Sequence, residues 1–174
     1  PAEPLHLARA GDSVTLTLAD PGALNALSAR MRDGLVAALE TCLLDPTRPI
    51  VTLRGQGRAF CAGGALGEFG QSADPALAHL IRRSQSVAGL VLRLGARAQA
   101  VVQGAAIGAG CEIASAAAHV RALPGAWFVL PELAMGLIPG AGGTVTVPRR
   151  IGRHRAVWLM LTGIAALAGR PAAL

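Results

Sequence analysis

The chain has 174 residues, of which 52% are hydrophobic, 15% charged and 3% aromatic. That balance excludes a disordered chain and allows one domain with a real core, built mainly from Ala, Gly, Val and Leu. The net charge is +6 and all 16 basic residues are arginine, which excludes a Schiff-base lysine and a phosphate-loop lysine.

In chain order, Val14 to Leu18 alternates with period two and predicts a half-buried strand. Asp20-Pro-Gly22 is a turn. Ser28 can cap a helix running to about Leu44, with Leu35, Leu39, Cys42 and Leu43 on one face and Pro46 and Pro49 beyond its end. Ile50 to Leu53 is a short buried strand, and Gly55 to Gly64 a loop whose glycines allow close backbone approach to a ligand. A helix is expected from about Pro75 to Leu94, a strand from Ala100 to Gln103, and a loop entering a helix from Gly108 to Ala118. Val120 to Leu123 and Trp127 to Leu130 are short strands. Gly140 to Gly143 breaks the chain before a short helical turn, and Ile151 to Leu161 is a helix. Strands alternating with helices argue for an α/β fold with much parallel pairing.

Cys42, Cys61 and Cys111 are odd in number and lack metal spacing, and His6, His79, His119 and His154 are scattered. A reduced, cytoplasmic chain without a metal or a secretory leader is expected. The apolar run from Ala98 to Val120 is interrupted by Gln103, Glu112 and glycines, so no membrane span is expected. Arginine excess suits a polyanionic ligand or simply a solvated surface. The densest cluster, Arg149, Arg150, Arg153 and Arg155, lacks the aromatics on which nucleic-acid bases stack, so nucleic acid is not an expected partner.

Two glutamates stand out, each in a glycine-rich and nearly uncharged stretch. Glu112 lies in the run Gly104 to Ala114, and Glu132 in the run Phe128 to Thr144. Burial of a carboxyl is costly unless it is used, and it raises the pKa toward the range useful for proton transfer. Two such groups suggest an acid/base pair. The plainer readings are a helix-dipole partner for Glu112 and an arginine salt bridge for Glu132. Gly108-Ala-Gly110 after a strand also invites a dinucleotide reading, but the third glycine of that fingerprint would fall at Ile113.

These stretches resemble the enoyl-CoA hydratase/isomerase family, the crotonases. Asn25-Ala-Leu-Ser28 resembles the start of its first helix, and Arg58 to Gly64 its first oxyanion loop. Gly104 to Ala114 resembles its second oxyanion loop and following helix, and Pro131-Glu132 through Gly140-Ala-Gly-Gly-Thr144 its most recognisable signature. The resemblance implies a crotonase-like spiral of β-β-α turns over residues 1–163, with 164–174 a short tail that departs from the pattern. It implies an acyl-CoA thioester as ligand, with its carbonyl oxygen held by the backbone N–H groups of Gly64 and Ala109. Glu112 would act as base toward water and Glu132 would deliver a proton to Cα, hydrating an enoyl thioester. Ala62, Gly63, Leu66, Gly108, Pro131 and Gly140 would line the substrate. Coenzyme A is then part of the substrate, no separate cofactor is needed, and a homo-trimer or hexamer is expected. A double-bond isomerase using mainly Glu132, or a silent CoA-binding subunit that needs a partner chain, are the alternatives. Two departures stand out. Ala65 replaces the family's usual Asp, although Glu68 and Phe69 a few residues later match the pattern again, and the sequence after Gly163 leaves it.

Overall fold

Val14, Leu16 and Leu18 alternate with Ser13, Thr15 and Thr17, so an extended segment turns one apolar edge inward. The computed structural model describes residues 3–70, 74, 76, 80 and 83–169, and in it Ser13–Leu18 is strand β2 with those three apolar side chains buried. Leu5–Ala10 pairs antiparallel with it as β1, which was not among the expected elements. Helix α1 (Ala29–Leu44) begins where the Ser28 hydroxyl accepts the Met31 N–H. It buries Met31, Leu35, Leu39 and Cys42, a helically spaced stripe.

Among the described residues the chain then winds between two sheets. β3 (Ile50–Gly55), β5 (Ala98–Val102) and β7 (His119–Ala122) run parallel to β2, in the order β1-β2-β3-β5-β7. β4 (Ala59–Cys61), β6 (Ala105–Ile107) and β8 (Trp127–Val129) form a second parallel set, edged by antiparallel β9 (Ala166–Leu167). β3 hands over to β4, β5 to β6 and β7 to β8, and after the first two of these pairs a helix returns the chain. That helix is α2 (Val87–Leu94) after β4 and α3 (Ala109–Ala116) after β6. The result is the expected α/β spiral of β-β-α turns. Its core packs Leu16, Leu53, Ala100 and Val102 of the first sheet with Leu35, Leu39, Val91 and Ile113 of the helices. Each fully buried Leu, Val or Ile side chain contributes about 2 kcal/mol relative to exposure.

The structure revises several elements. β4 lies inside the segment read as a loop from Gly55 to Gly64, and β6 precedes the expected loop at Gly108. Both are three-residue strands. The helix expected over 75–94 is realised as α2, because the Ser86 hydroxyl takes the Gly89 N–H and starts a helix at Val87. Most of its expected first half lies outside the described residues. The short turn after Gly143 is the nine-residue helix α4 (Gly143–Ile151), and Gly152, at φ 84°, separates it from α5 (Arg153–Thr162). Ile151 therefore closes one helix rather than opening the next. Ala166 and Leu167, in the expected tail, pair with Phe128 and Trp127. Among the described residues no helix is long and apolar enough to cross a membrane.

Asn25 anchors the connection from β2 to α1. It is fully buried at φ 57°, in the left-handed region that Asn tolerates better than most residues. Its Oδ1 accepts the Asp20 N–H at 2.9 Å, and its Nδ2 donates to the carbonyls of Gln56 at 2.9 Å and Ala59 at 2.8 Å. Asn25→Ala strands the Asp20 N–H and the Gln56 carbonyl and leaves the Ala59 carbonyl with only the Gln103 Nε2 donor, and is expected to cost about 2 kcal/mol. Urea unfolding should show a lower midpoint at unchanged slope, and a loss below about 0.5 kcal/mol would contradict this anchoring role.

Candidate active site

Three short parallel strands define the site. β4 pairs with β6 through Cys61 and Ala106, and β6 pairs with β8 through Ile107 and Val129. Their C-terminal ends therefore lie side by side and release three segments at one edge: Ala62–Gly64, Gly108–Ala109 and Pro131–Glu132. The Gly108 N–H donates to the Val129 carbonyl at 2.9 Å, which ties the second segment to the third.

Glu112 sits in the first turn of α3 and is only 2% exposed. Its Oε1 accepts the N–H groups of Ala141 at 2.9 Å and Gly143 at 2.7 Å. These lie at the N-terminus of α4, whose N-cap residue Gly142 offers no side chain. Glu112 is thus a helix-terminus partner, as the plainer reading held, but for the neighbouring helix rather than its own. A Cβ on Gly143 would lie 2.7 Å from the Glu112 Cγ, so only glycine fits there. Burial pushes the Glu112 carboxyl up to about 7, with the two N–H bonds opposing and the Glu132 charge adding to the rise.

Glu132 follows Pro131 and opens a short 3₁₀ turn, Glu132–Met135. It is 8% exposed, and its Oε2 is buried without a hydrogen-bond partner among the described residues. No arginine pairs with it among those residues. Burial raises its pKa, partly offset by its own backbone N–H. Gly108 holds φ 50°, and a Cβ there would come within 3.0 Å of the Glu132 Oε1. Glu132 therefore lies directly against the turn that opens α3.

The loop after β4 is held from outside. The Leu27 N–H donates to the Gly63 carbonyl at 2.7 Å, the Ala65 N–H to the Leu27 carbonyl at 3.3 Å, and the Ala62 N–H to the Leu24 carbonyl at 3.0 Å. The Glu68 carboxylate receives the Ala29 N–H on both oxygens, at 3.1 and 2.9 Å, so it docks on the N-terminus of α1. This tie serves a loop that carries Ala65 where an Asp was expected. Neither the Gly64 N–H nor the Ala109 N–H donates to an acceptor among the described residues. The Ala109 N–H belongs to the first turn of α3, where the helix dipole presents its positive end.

Of the residues singled out in the sequence, Ala62, Gly63, Gly64, Gly108, Ala109, Glu112, Pro131 and Glu132 are brought to this edge. Gly140 precedes Ala141 in the loop that binds Glu112, and Leu66, 68% exposed, stands at the rim. Asn25 and Glu68 were not recognised as loop anchors. The loop groups they hold lie 31 to 39 residues away, and only the Asp20 N–H bound by Asn25 is near in sequence, so no local signal marks them as loop anchors. Among the described residues no three His, Cys, Asp or Glu side chains are grouped to hold a metal.

The sequence pattern of the family described as enoyl-CoA hydratase/isomerase matches residues 10–168. The 2,3-dehydroadipyl-CoA hydratase of Escherichia coli (strain K12) is 36% identical over 155 residues, which cover 85% of this chain and 57% of that protein. A probable enoyl-CoA hydratase of Rhodobacter capsulatus is 39% identical over 147 residues, covering 84% and 56%. The crystal structure of an enoyl-CoA hydratase from Bacillus anthracis superposes with a TM-score of 0.85 at 29% identity, covering 95% of this chain and 65% of that one. The chain thus spans a little over half the length of the curated relatives it matches. With a family match over most of its length and a shared spiral fold, this chain belongs to the enoyl-CoA hydratase/isomerase family.

Proposed function

We propose that this chain carries the chemistry of an enoyl-CoA hydratase. The observation that supports this best is the meeting of two buried carboxyls, Glu112 and Glu132, with two unengaged backbone N–H groups at one strand edge. The thioester oxygen would accept the Gly64 and Ala109 N–H groups. Negative charge grows on that oxygen as water adds to Cβ, and each preorganised donor contributes about 3 kcal/mol to such a transition state. Glu112 takes a proton from the attacking water, and its two fixed N–H bonds hold its carboxylate in place. Glu132 gives its proton to Cα, which completes the addition. Burial raises both groups, Glu112 to about 7, where it can exchange protons near neutrality.

Isomerisation of the double bond is the second reading. It draws on Glu132, whose free Oε2 is not tied to the backbone as the Glu112 Oε1 is. The exposed side chains of Ile138, Leu161 and Ile164 support assembly into a homo-trimer or hexamer, and three buried free thiols accord with a cytoplasmic setting.

Turnover of crotonyl-CoA, followed by loss of the conjugated thioester absorbance, tests the proposal. Glu132→Gln is expected to lower it about 100-fold or more while CoA ester binding persists. Undiminished turnover would remove Glu132 from the chemistry. Glu112→Gln separates the readings: a hydratase loses water addition, whereas an isomerase keeps double-bond migration in a 3-enoyl thioester. Glu112 also makes a stability prediction. Its carboxyl rises from an ordinary 4.5 to about 7, so the folded state binds the extra proton between those values. Stability from this group therefore falls as pH rises through that window, by about 3 kcal/mol in all. Glu112→Gln keeps an acceptor for the α4 N–H groups and carries no charge. It should match the wild type near pH 4 and exceed its denaturant midpoint above pH 7, and equal midpoints at both pH values would contradict the burial cost.

A further inference from the structure

The first sheet turns its apolar side chains toward the helices and its other face outward. Register places two rows of residues across that outer face. One runs His6, Thr17, Arg54, Val101, Arg121, and the other runs Ala8, Thr15, Thr52, Gln99, His119. Neither row contains a carboxylate. Arg54 and Arg121 flank the short side chain of Val101, one strand to each side. A trough of about 310 Å³ lies between them, also lined by Thr15, Thr52 and Gln103.

Two like charges on one sheet face, one strand apart on either side of Val101, repel each other unless a counter-charge lies between them. Neither guanidinium forms an ion pair or a hydrogen bond among the described residues. With strands about 4.8 Å apart, the two arginines spring from backbone positions about 10 Å apart. Both side chains are long enough to converge on one anion over Val101, and guanidinium groups bind phosphoryl oxygens through paired N–H donors. The Thr15 and Thr52 hydroxyls line the same trough and can donate to the remaining oxygens.

We propose that this trough is a binding site for a soluble phosphoryl anion, clamped between Arg54 and Arg121. The rows hold no Phe, Tyr or Trp for base stacking, their two imidazoles, His6 and His119, stand on the sheet's edge strands, and Ala8 and Val101 are their only apolar members, with Leu123 the one further apolar side chain lining the trough, which favours a small phosphorylated molecule over nucleic acid or a lipid surface. The trough shares no residue with the glutamate edge, so the site stands whether or not the chain hydrates thioesters.

Calorimetric titration of the 174-residue chain with inorganic pyrophosphate at physiological salt tests it. Saturable binding is expected, weakened about tenfold or more by Arg54→Gln and by Arg121→Gln, and unchanged by Arg153→Gln in the remote cluster. Val101→Asp places a carboxylate between the two guanidiniums. It should abolish pyrophosphate binding and raise the melting temperature. No saturable binding by the wild type would overturn the proposal. So would affinity that survives both the arginine substitutions and Val101→Asp, because the anion would then be held elsewhere.

Discussion

One carboxylate oxygen couples the two helices on which the site depends. The Glu112 Oε1 belongs to α3 but closes the N-terminus of α4, where Gly142 and Gly143 supply no capping side chain. At the other end the exchange runs in reverse. Arg150, in the last turn of α4, donates to the carbonyls of Ser115 and Ala117 where α3 ends. The helices therefore lie side by side, each end of the pair closed by a side chain from the other member. Orphan N–H and carbonyl groups are obligatory at helix ends, and here they are satisfied by residues that also fix the relative position of the helices.

This coupling gives Glu112 two duties. Its desolvation is strong because the side chain is buried against Gly143, where even a Cβ would clash, while the N–H pair keeps the charged form accessible. A carboxylate buried without those bonds would simply stay protonated, and one left in solvent would stay ionised. The balance between the two leaves the group near neutrality. Burial raises Glu132 as well, but with one oxygen unpartnered rather than tied to two N–H groups, so the two groups are not interchangeable.

Local chemistry carried much of this in the sequence. Ser28 announced α1, the alternation from Val14 announced β2, and isolated glutamates among glycines announced the paired carboxyls. β4 and β6 were not legible because three residues are too few to show alternation, and Ala59, Ala105 and Ala106 have weak strand preference. They are strands because their neighbours in space make them so. Arg150 sits in a cluster that invited a polyanion, yet its donors go to backbone carbonyls, a choice visible only once α3 and α4 are packed. The outer face of the first sheet was equally hidden. Arg54 and Arg121 are far apart in the chain, and only the register across β5 makes them neighbours.

The three-residue strands have a kinetic meaning. Ala59–Cys61, Ala105–Ile107 and Trp127–Val129 are each too short to persist alone, and each needs the preceding turn of the spiral as its template. The closure of long loops must come before these pairings return any stability. A nascent chain that has emerged as far as β6 can hold α1, α2 and much of the first sheet, yet it has no edge on which Glu132 can meet Gly108. The edge that joins Glu132 to Gly108 therefore comes into being only at the last winding, and a chain arrested earlier would be well structured yet lack it.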